Sequence, residues 1–245
     1  VNTPVIPANS KFFAMRKSVK AFSDSVLDLI CKDSVARLTD YYGKEELIYL
    51  GPDEQIIPSD IDWICDRAAK RGYPIPAAFM SSKREAGFNH KEFGVTSEGI
   101  VVFLDVALRN VLKINPYKDP FTIKITGGPD GDVAGNLMKI VFREYGENCK
   151  VVGVADGFGV AEDPKGLNSG ELLRLFNEGL PITSFNKAKL SNEGIMMDAT
   201  TEEGLTRRNS MCFRVKADAF IPVGGRPNTI NADNWRQFLE IGRAS

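Results

Sequence analysis

The sequence is poor in the residues that build metal centres and hydrolytic triads. It has one histidine, His90, and its four cysteines, Cys31, Cys65, Cys149 and Cys212, lie far apart. A structural zinc site needs four converging cysteine or histidine ligands, and no C-x-x-C pair is present, so we expect no metal. A Ser-His-Asp triad would have to use His90, and the G-x-S-x-G turn of many hydrolases is absent. Scattered cysteines are typical of reduced thiols in a cytoplasmic protein, and we expect that location.

An excess of one charge and long apolar runs are also missing. The 31 Lys and Arg residues nearly balance the 32 Asp and Glu residues, which gives a formal net charge of −1. Because the basic residues are scattered and are not interleaved with aromatic residues, we expect no nucleic-acid partner. No apolar stretch approaches the roughly 20 residues of a membrane span, so we expect no membrane partner. The 245 residues are enough for a sizeable core in one domain or two.

The most informative segment present runs from Phe121 to Asp156. Alternating apolar residues over 121–126 predict a strand, which leads into a glycine-rich stretch at 127–136 and a helix-like stretch at 137–145. A second apolar strand, at 151–155, ends on Asp156. Strand, glycine-rich turn, helix, strand and acid follow one another in the order of a dinucleotide-binding unit.

Each part of this segment has a physical role in holding NAD. Glycines let the backbone turn tightly and approach a pyrophosphate, and the helix N-terminus supplies free N–H groups and partial positive charge. Asp156 can accept hydrogen bonds from the adenosine ribose. The spacing Gly128-x-x-Gly131-x-x-Ala134 has one residue more than the usual pattern between its first two small residues. A glycine-rich turn without a ligand is therefore the alternative interpretation.

The two acids within the glycine-rich stretch, Asp130 and Asp132, lie where a phosphate would approach. We expect their carboxylates to point outward or to cap a helix that begins at Val133, rather than to bind ribose.

The rest of the chain alternates predicted helices and strands. Apolar spacing predicts helices over 19–38, from Ser59 or Asp60 to Ala68, over 98–112 with Thr96 or Ser97 as the N-cap, and over 171–176 with Ser169 as the cap. Residues 157–166 are expected to form a long turn, 191–208 a surface insertion or hairpin, and 218–225 a buried strand that ends in a small-residue loop. This alternation predicts an α/β fold with a doubly wound, mostly parallel, Rossmann-like sheet. Ligands bind such sheets at the carboxyl ends of the strands, where Asp53, 128–132, Asp156 and 224–225 are expected.

Five short motifs are spread in order from about Tyr41 to the C-terminus. They are GPDE at 51–54, FGVTS at 93–97, TGGPDGD at 126–132, DPKGL at 163–167 and FIPVGGRPNTI at 220–230. Together they resemble the glutamate/leucine/phenylalanine/valine dehydrogenase family, in its branch of NAD-specific glutamate dehydrogenases with very long subunits. The extra residue in the glycine turn is similar to that branch.

The resemblance implies roles for individual residues. Asp53 matches the acid that relays protons in the substrate cleft, and its alternative role is a turn-forming or capping aspartate. Thr96 matches the residue that contacts the nicotinamide carboxamide, and its alternative role is a helix N-cap. Asp156 implies a preference for NAD over NADP, because a carboxylate repels a 2′-phosphate. The implied cofactor-binding residues are Thr96, Gly128, Pro129, Asp130, Gly131, Asp132, Val133, Asp156, Gly224, Gly225 and Asn228, of which the last three belong to the loop beneath the nicotinamide ribose.

The resemblance also implies an activity for a longer protein. It is the reversible oxidative deamination of L-glutamate to 2-oxoglutarate and ammonia by a homo-oligomer. The family's glycine-rich lysine segment and its Glu-Gly-Ala-Asn strand have no counterpart here, and Lys83 belongs to a different loop. We therefore expect residues 1–45 to be a helical lead-in from a preceding substrate domain and 46–245 to be the nucleotide domain, truncated before its last strand. The fragment by itself is expected to be inactive.

Two other functions fit the same residues. One is a non-catalytic nucleotide-binding regulatory module, in which Asp53 is merely structural. The other is a different NAD-dependent amino-acid dehydrogenase that shares the sheet, because a fold by itself does not determine function.

Overall fold

In the computed structural model of this chain, the described residues are 24, 25, 27, 38, 39, 45, 46, 50, 51, 58–80, 92–224 and 229–241. The chain divides into two compact units, with the boundary between Phe93 and Gly94. Of the residues predicted to act in a site, Asp53, Gly225 and Asn228 lie outside the described residues, as do His90 and Lys83.

The N-terminal unit contains a short hairpin and a helix. Strand β1, Leu38–Thr39, pairs antiparallel with strand β2, Glu45–Glu46. Helix α1, Pro58–Lys70, confirms the helix predicted from Ser59 or Asp60 and extends slightly beyond it. Asp24, Ser25 and Leu27 are helical as predicted, whereas Leu38, the predicted end of that helix, lies in β1. The buried core of this unit is Leu27, Ile61, Ile64, Cys65, Ala68, Tyr73, Phe79 and Met80.

The C-terminal unit is built on one mixed sheet of five strands. They are β3 (Phe121–Thr126), β4 (Cys149–Ala155), β5 (Gly159–Glu162), β6 (Ile195–Asp198) and β7 (Ala219–Pro222). The spatial order is β6-β5-β4-β3-β7, in which β3 lies parallel to both β4 and β7. The β4–β5 and β5–β6 pairs are antiparallel. The predicted α/β class is confirmed, with an antiparallel edge added to the parallel strands.

Helices cover both faces of this sheet. They are α2 (Val95–Ala107, continued by a π-helical turn at Leu108–Leu112), α3 (Asp132–Tyr145), α4 (Ser169–Glu178), α5 (Glu202–Arg214) and α6 (Trp235–Ile241). Neighbouring strand residues point to opposite faces. Val154 belongs to the large core that α3 and α4 share, whereas Ala155 packs with Met211 of α5 in a second cluster. In the described ranges, no helix is long and apolar enough to cross a bilayer.

Two segments that lacked periodicity belong to the sheet. The predicted long turn over 157–166 is wrong, because strand β5 lies within it and pairs with β4. The segment 191–208, expected to be a surface insertion or hairpin, instead provides the edge strand β6 and the first half of α5. Arg207 and Arg214 of α5 both bind the buried carboxylate of Glu162 and so fix the helix to β5.

The N-cap of α4 differs from the predicted one. Ser169 is the first helical residue, and the Oδ1 atom of Asn168 accepts a hydrogen bond from the backbone N–H of Glu171 at 2.9 Å. Asn168 therefore satisfies one of the free N–H groups of the first turn.

We expect Asn168→Ala to lower the free energy of unfolding by about 1 kcal/mol, since the capping acceptor is lost. Ser169→Ala, one residue later, is expected to change it by less than about 0.5 kcal/mol. Urea unfolding of both variants measures the difference. A larger effect at Ser169 than at Asn168 would contradict the observed cap.

Candidate functional site

The three parallel strands, β3, β4 and β7, have their carboxyl ends at the same end of the sheet. The backbone N–H of Gly127, which follows β3, donates to the carbonyl of Ala155 at 2.7 Å. The N–H of Val223, which follows β7, donates to the carbonyl of Thr126 at 2.9 Å. The loops after β3, β4 and β7 are thereby held side by side, as predicted for 128–132, Asp156 and Gly224.

Gly127 is required where two of these loops touch. Its φ is +125°, a region that side chains with a Cβ rarely adopt. A Cβ there would also lie 2.9 Å from the carbonyl oxygen of Val223 and 3.0 Å from the nitrogen of Gly224. Gly127 was not among the predicted site residues, although it is the first residue of the glycine-rich stretch.

The glycine turn leads directly into α3. The N–H of Gly131 donates to the carbonyl of Gly128 at 2.9 Å, and α3 begins at Asp132 with Gly131 at the N-cap. Within the described ranges no side chain caps this helix, so of the two roles expected for the acids, capping a helix that begins at Val133 is wrong. The N–H groups of the first turn remain available for an anion. Pro129 is buried within the turn.

Gly135 allows the turn and two helices to approach closely. A Cβ at this position would lie 2.4 Å from both the Phe176 ring of α4 and the carbonyl oxygen of Pro129. Gly135 was not among the predicted site residues, because the predicted pattern of small residues ends at Ala134. The signal was its position one turn after Gly131 in a predicted helix, where glycine is otherwise unfavourable.

Two carboxylates lie beside Gly128. A Cβ at Gly128 would lie 2.3 Å from Oδ1 of Asp130 and 2.7 Å from Oδ2 of Asp156. Partial desolvation of the Asp130 carboxyl, and then the nearby charge of Asp156, raise the pKa of Asp130. Asp130 is exposed, as expected, while its Oδ1 atom lies beside Gly128.

The carboxylate of Asp156 is held by three backbone N–H groups. Its Oδ1 atom accepts hydrogen bonds from Phe158 at 2.8 Å and Gly159 at 2.9 Å, and its Oδ2 atom accepts one from Ile182 at 2.7 Å. A carboxylate offers about four acceptor positions, so about one remains, on Oδ2. The acid is therefore fixed in one orientation, with room for about one further donor.

Two buried carboxylates fix the loop that carries Ile182. Glu171 accepts from the N–H of Asn186 at 3.0 Å and from Nζ of Lys189 at 3.0 Å. Its hydrogen bonds with Arg174, together with these contacts, lower the pKa of Glu171 to about 2. Asp163 accepts hydrogen bonds from both the N–H and the hydroxyl of Ser191. Sequence reasoning missed both acids as supports of the site, since their partners are remote in sequence.

The N-terminus of α2 lies against the beginning of α3. Helix α2 begins at Val95 after Gly94, so the prediction that Thr96 or Ser97 caps it is wrong. The buried hydroxyl of Ser97 instead donates to the carbonyl of Val133 at 2.8 Å. Thr96 is exposed in the first turn of α2, beside the start of α3.

The cysteines and acids of the described ranges give no sign of a metal centre. No group of three or more His, Cys, Asp or Glu residues there is arranged to hold an ion. Cys65, Cys149 and Cys212 are buried thiols, and burial raises the pKa of the Cys149 thiol to about 12.

Comparison with protein families gives one match that covers most of the C-terminal unit. The model of the glutamate/leucine/phenylalanine/valine dehydrogenases matches residues 87–242. A protein named "Probable NAD-specific glutamate dehydrogenase" from Schizosaccharomyces pombe is 34% identical over a 232-position alignment, which covers 89% of this chain and 20% of that protein. The NAD-specific glutamate dehydrogenase of Saccharomyces cerevisiae is 31% identical over a gapped alignment of 258 positions, which covers 98% of this chain and 23% of that protein. The chain thus spans about a fifth of the length of these relatives.

Solved structures share the fold at low sequence identity. The hetero-hexameric glutamate dehydrogenase of Thermus thermophilus aligns over 95% of this chain and 46% of its own, with a TM-score of 0.58 and 17% identity. The glutamate dehydrogenase of Plasmodium falciparum aligns over 96% of this chain and 44% of its own, with a TM-score of 0.62 and 17% identity. The likeness confirms the Rossmann-like architecture that the sequence predicted.

Proposed function

The chain belongs to the glutamate/leucine/phenylalanine/valine dehydrogenase family, and we propose that it forms the NAD-binding part of a glutamate dehydrogenase. One observation carries this proposal. The glycine turn 127–131 enters an uncapped helix N-terminus, and the fixed carboxylate of Asp156 lies next to it. A pyrophosphate needs the first feature and an adenosine ribose needs the second.

Each part of NAD has proposed partners in this chain. Gly128, Gly131 and the first turn of α3 would hold the pyrophosphate, with Pro129, Asp130, Asp132 and Val133 lining it. The remaining acceptor position of Asp156 would take one ribose hydroxyl. We propose the exposed Thr96 and the loop at Gly224, Gly225 and Asn228 for the nicotinamide half, in line with the family resemblance.

The complete reaction is a proposal for the longer protein. Bound NAD would supply the hydride acceptor, while this chain holds the nucleotide and excludes water from it. The substrate would be L-glutamate, released as 2-oxoglutarate and ammonia, and Asp53 would carry a proton at the substrate amino group. We also propose that the 245 residues alone do not turn over substrate, that residues 1–45 lead in from a substrate domain, and that the longer protein is a cytoplasmic homo-oligomer.

Calorimetric titration of the chain with NAD and with NADP tests the cofactor site. We expect NAD to bind more tightly, because the fixed charge of Asp156 repels a 2′-phosphate. In Asp156→Asn, the carbonyl oxygen can still accept from Phe158 and Gly159, while the charge and the Oδ2 acceptor are lost. The ratio of NAD to NADP affinity is expected to fall about tenfold or more, equivalent to one charge-assisted hydrogen bond.

Glu147→Gln is the matched control for this change. Glu147 is exposed in the turn that precedes β4, so Glu147→Gln removes the same charge at the opposite end of the strand from Asp156. We expect its affinity ratio to equal that of the wild-type chain. Equal wild-type affinities for NAD and NADP would contradict the role of Asp156, and the absence of binding of both nucleotides would contradict the proposed site.

A further inference from the structure

The turn between β4 and β5 is held rigidly on both sides. The N–H of Asp156 donates to the carbonyl of Gly159 at 3.0 Å, and the N–H of Phe158 donates to the Asp156 carboxylate at 2.8 Å. From outside the turn, the N–H of Ala199 donates to the carbonyl of Phe158 at 2.7 Å. The guanidinium of Arg208 donates to the carbonyl of Gly157 at 3.1 Å. The backbone of Phe158 is therefore fixed.

This rigid turn exposes an aromatic side chain. Phe158 is 58% exposed, whereas Phe121 and Phe185 of the same unit are almost fully buried. Within the described part of the chain, the Phe158 ring has no aromatic or cation–π partner. A fixed backbone that presents an uncovered apolar ring provides a flat surface at little cost in conformational entropy.

The position of the Phe158 ring relative to Asp156 limits which part of a bound nucleotide the ring can contact. The backbone nitrogen of Phe158 lies 2.8 Å from the carboxylate that we assign to the adenosine ribose. In adenosine, the base is attached to the sugar carbon next to the one that bears the 2′-hydroxyl. A ribose bound at Asp156 therefore carries its adenine ring close to the turn. Purines stack on phenylalanine rings, and the guanidinium of Arg208 next to the turn favours the same electron-rich ring.

We propose that Phe158 forms the stacking surface for the adenine ring of the bound dinucleotide. The inference rests on the proposed function and adds to it the residue that recognises the base. Removal of the ring weakens the binding of every ligand that carries adenosine, whereas a substitution that keeps a six-membered aromatic ring retains it.

Calorimetric titration of the 245-residue chain with NAD and with ADP-ribose tests this inference. Phe158→Ala is expected to lower the affinity for both ligands about tenfold, which is within the range for loss of one base–aromatic stack. Phe158→Tyr is expected to stay within about twofold of the wild type. Phe103→Ala is the matched control, because Phe103 is 79% exposed on α2 and its loss leaves the turn intact. The melting temperature of each variant is measured alongside, and we expect that of Phe158→Ala to equal the wild-type value.

The outcomes separate the two proposals. If the wild-type chain binds neither ligand, the proposed function is wrong and this inference is wrong with it. If the wild-type chain binds NAD and Phe158→Ala binds it equally well, only the role of Phe158 is overturned. A lower melting temperature for Phe158→Ala, with unchanged affinity in the folded fraction, would show that the ring is structural and would likewise overturn its role.

Discussion

Replacing Gly135 by alanine is expected to lower the free energy of unfolding of the Gly94–Ser245 unit by about 3 kcal/mol. The new methyl group would lie 2.4 Å from the Phe176 ring and 2.4 Å from the carbonyl oxygen of Pro129. The ring can move, but the carbonyl belongs to the glycine turn and can move only if α3 shifts away from it. Alanine normally stabilises a helix interior relative to glycine, so the overlap must outweigh that gain.

Gly99→Ala provides the matched control for this prediction. Gly99 lies within α2, and a Cβ there would have nothing within 4 Å. We expect this variant to gain about 0.5–1 kcal/mol from helix propensity. Thermal unfolding distinguishes the two, because a loss of 3 kcal/mol lowers the melting temperature by roughly 6–12 °C in a chain of this size. If both alanines stabilise the protein, the close contact between α3 and the turn does not exist.

Gly128→Ala is expected to weaken NAD binding by about 100-fold or more while the chain stays folded. The added methyl group would lie 2.3 Å from Oδ1 of Asp130, which can rotate away. It would also lie 2.7 Å from Oδ2 of Asp156, which three backbone N–H groups hold in place. Displacement of Asp156 removes the ribose acceptor, and the methyl group occupies the surface where the pyrophosphate would approach. Two charge-assisted hydrogen bonds lost together account for a factor of this size.

Titration of Gly128→Ala with NAD, next to Gly99→Ala and the wild-type chain, measures this loss. Circular dichroism of the same samples shows whether the fold is kept. We expect Gly99→Ala to bind NAD as the wild-type chain does, because its methyl group points into open space. Wild-type affinity in a folded Gly128→Ala chain would show that the nucleotide does not use this turn.

The sequence by itself determined the central part of the nucleotide fold. Residues 121–126 form β3 as predicted, and Asp156 follows β4 as predicted. Strand β3 alternates apolar and polar residues and β4 is mostly an apolar run, and both patterns can be recognised locally. The glycine-rich turn after β3 and Asp156 after β4 are equally local signals, since they mark the ends of these strands and the start of a helix. The family motifs occur along the chain in the order that the family has, which supports the same fold.

The antiparallel edge of the sheet was decided by tertiary structure alone. Strands β5 and β6 are each four residues long, and the residues of β6 are half-buried or exposed. Strands as short as these carry too few residues for a periodic pattern, and their pairing partners determine them. The cap at Asn168 was missed for a similar reason. Both Asn168 and Ser169 are residues that can cap, and backbone geometry selected the first.

The chemistry of the site was also divided between sequence and tertiary structure. The identity of Asp156 follows from its place after a strand, but the number of hydrogen bonds it can still accept does not. That number depends on the N–H of Ile182, which is 26 residues away and is positioned by Glu171 and Asp163. Gly135 and Phe158 likewise gain their roles from groups that packing brings to them. Local patterns determine which residue types stand at the strand ends, whereas packing of remote segments determines their orientation and remaining binding capacity.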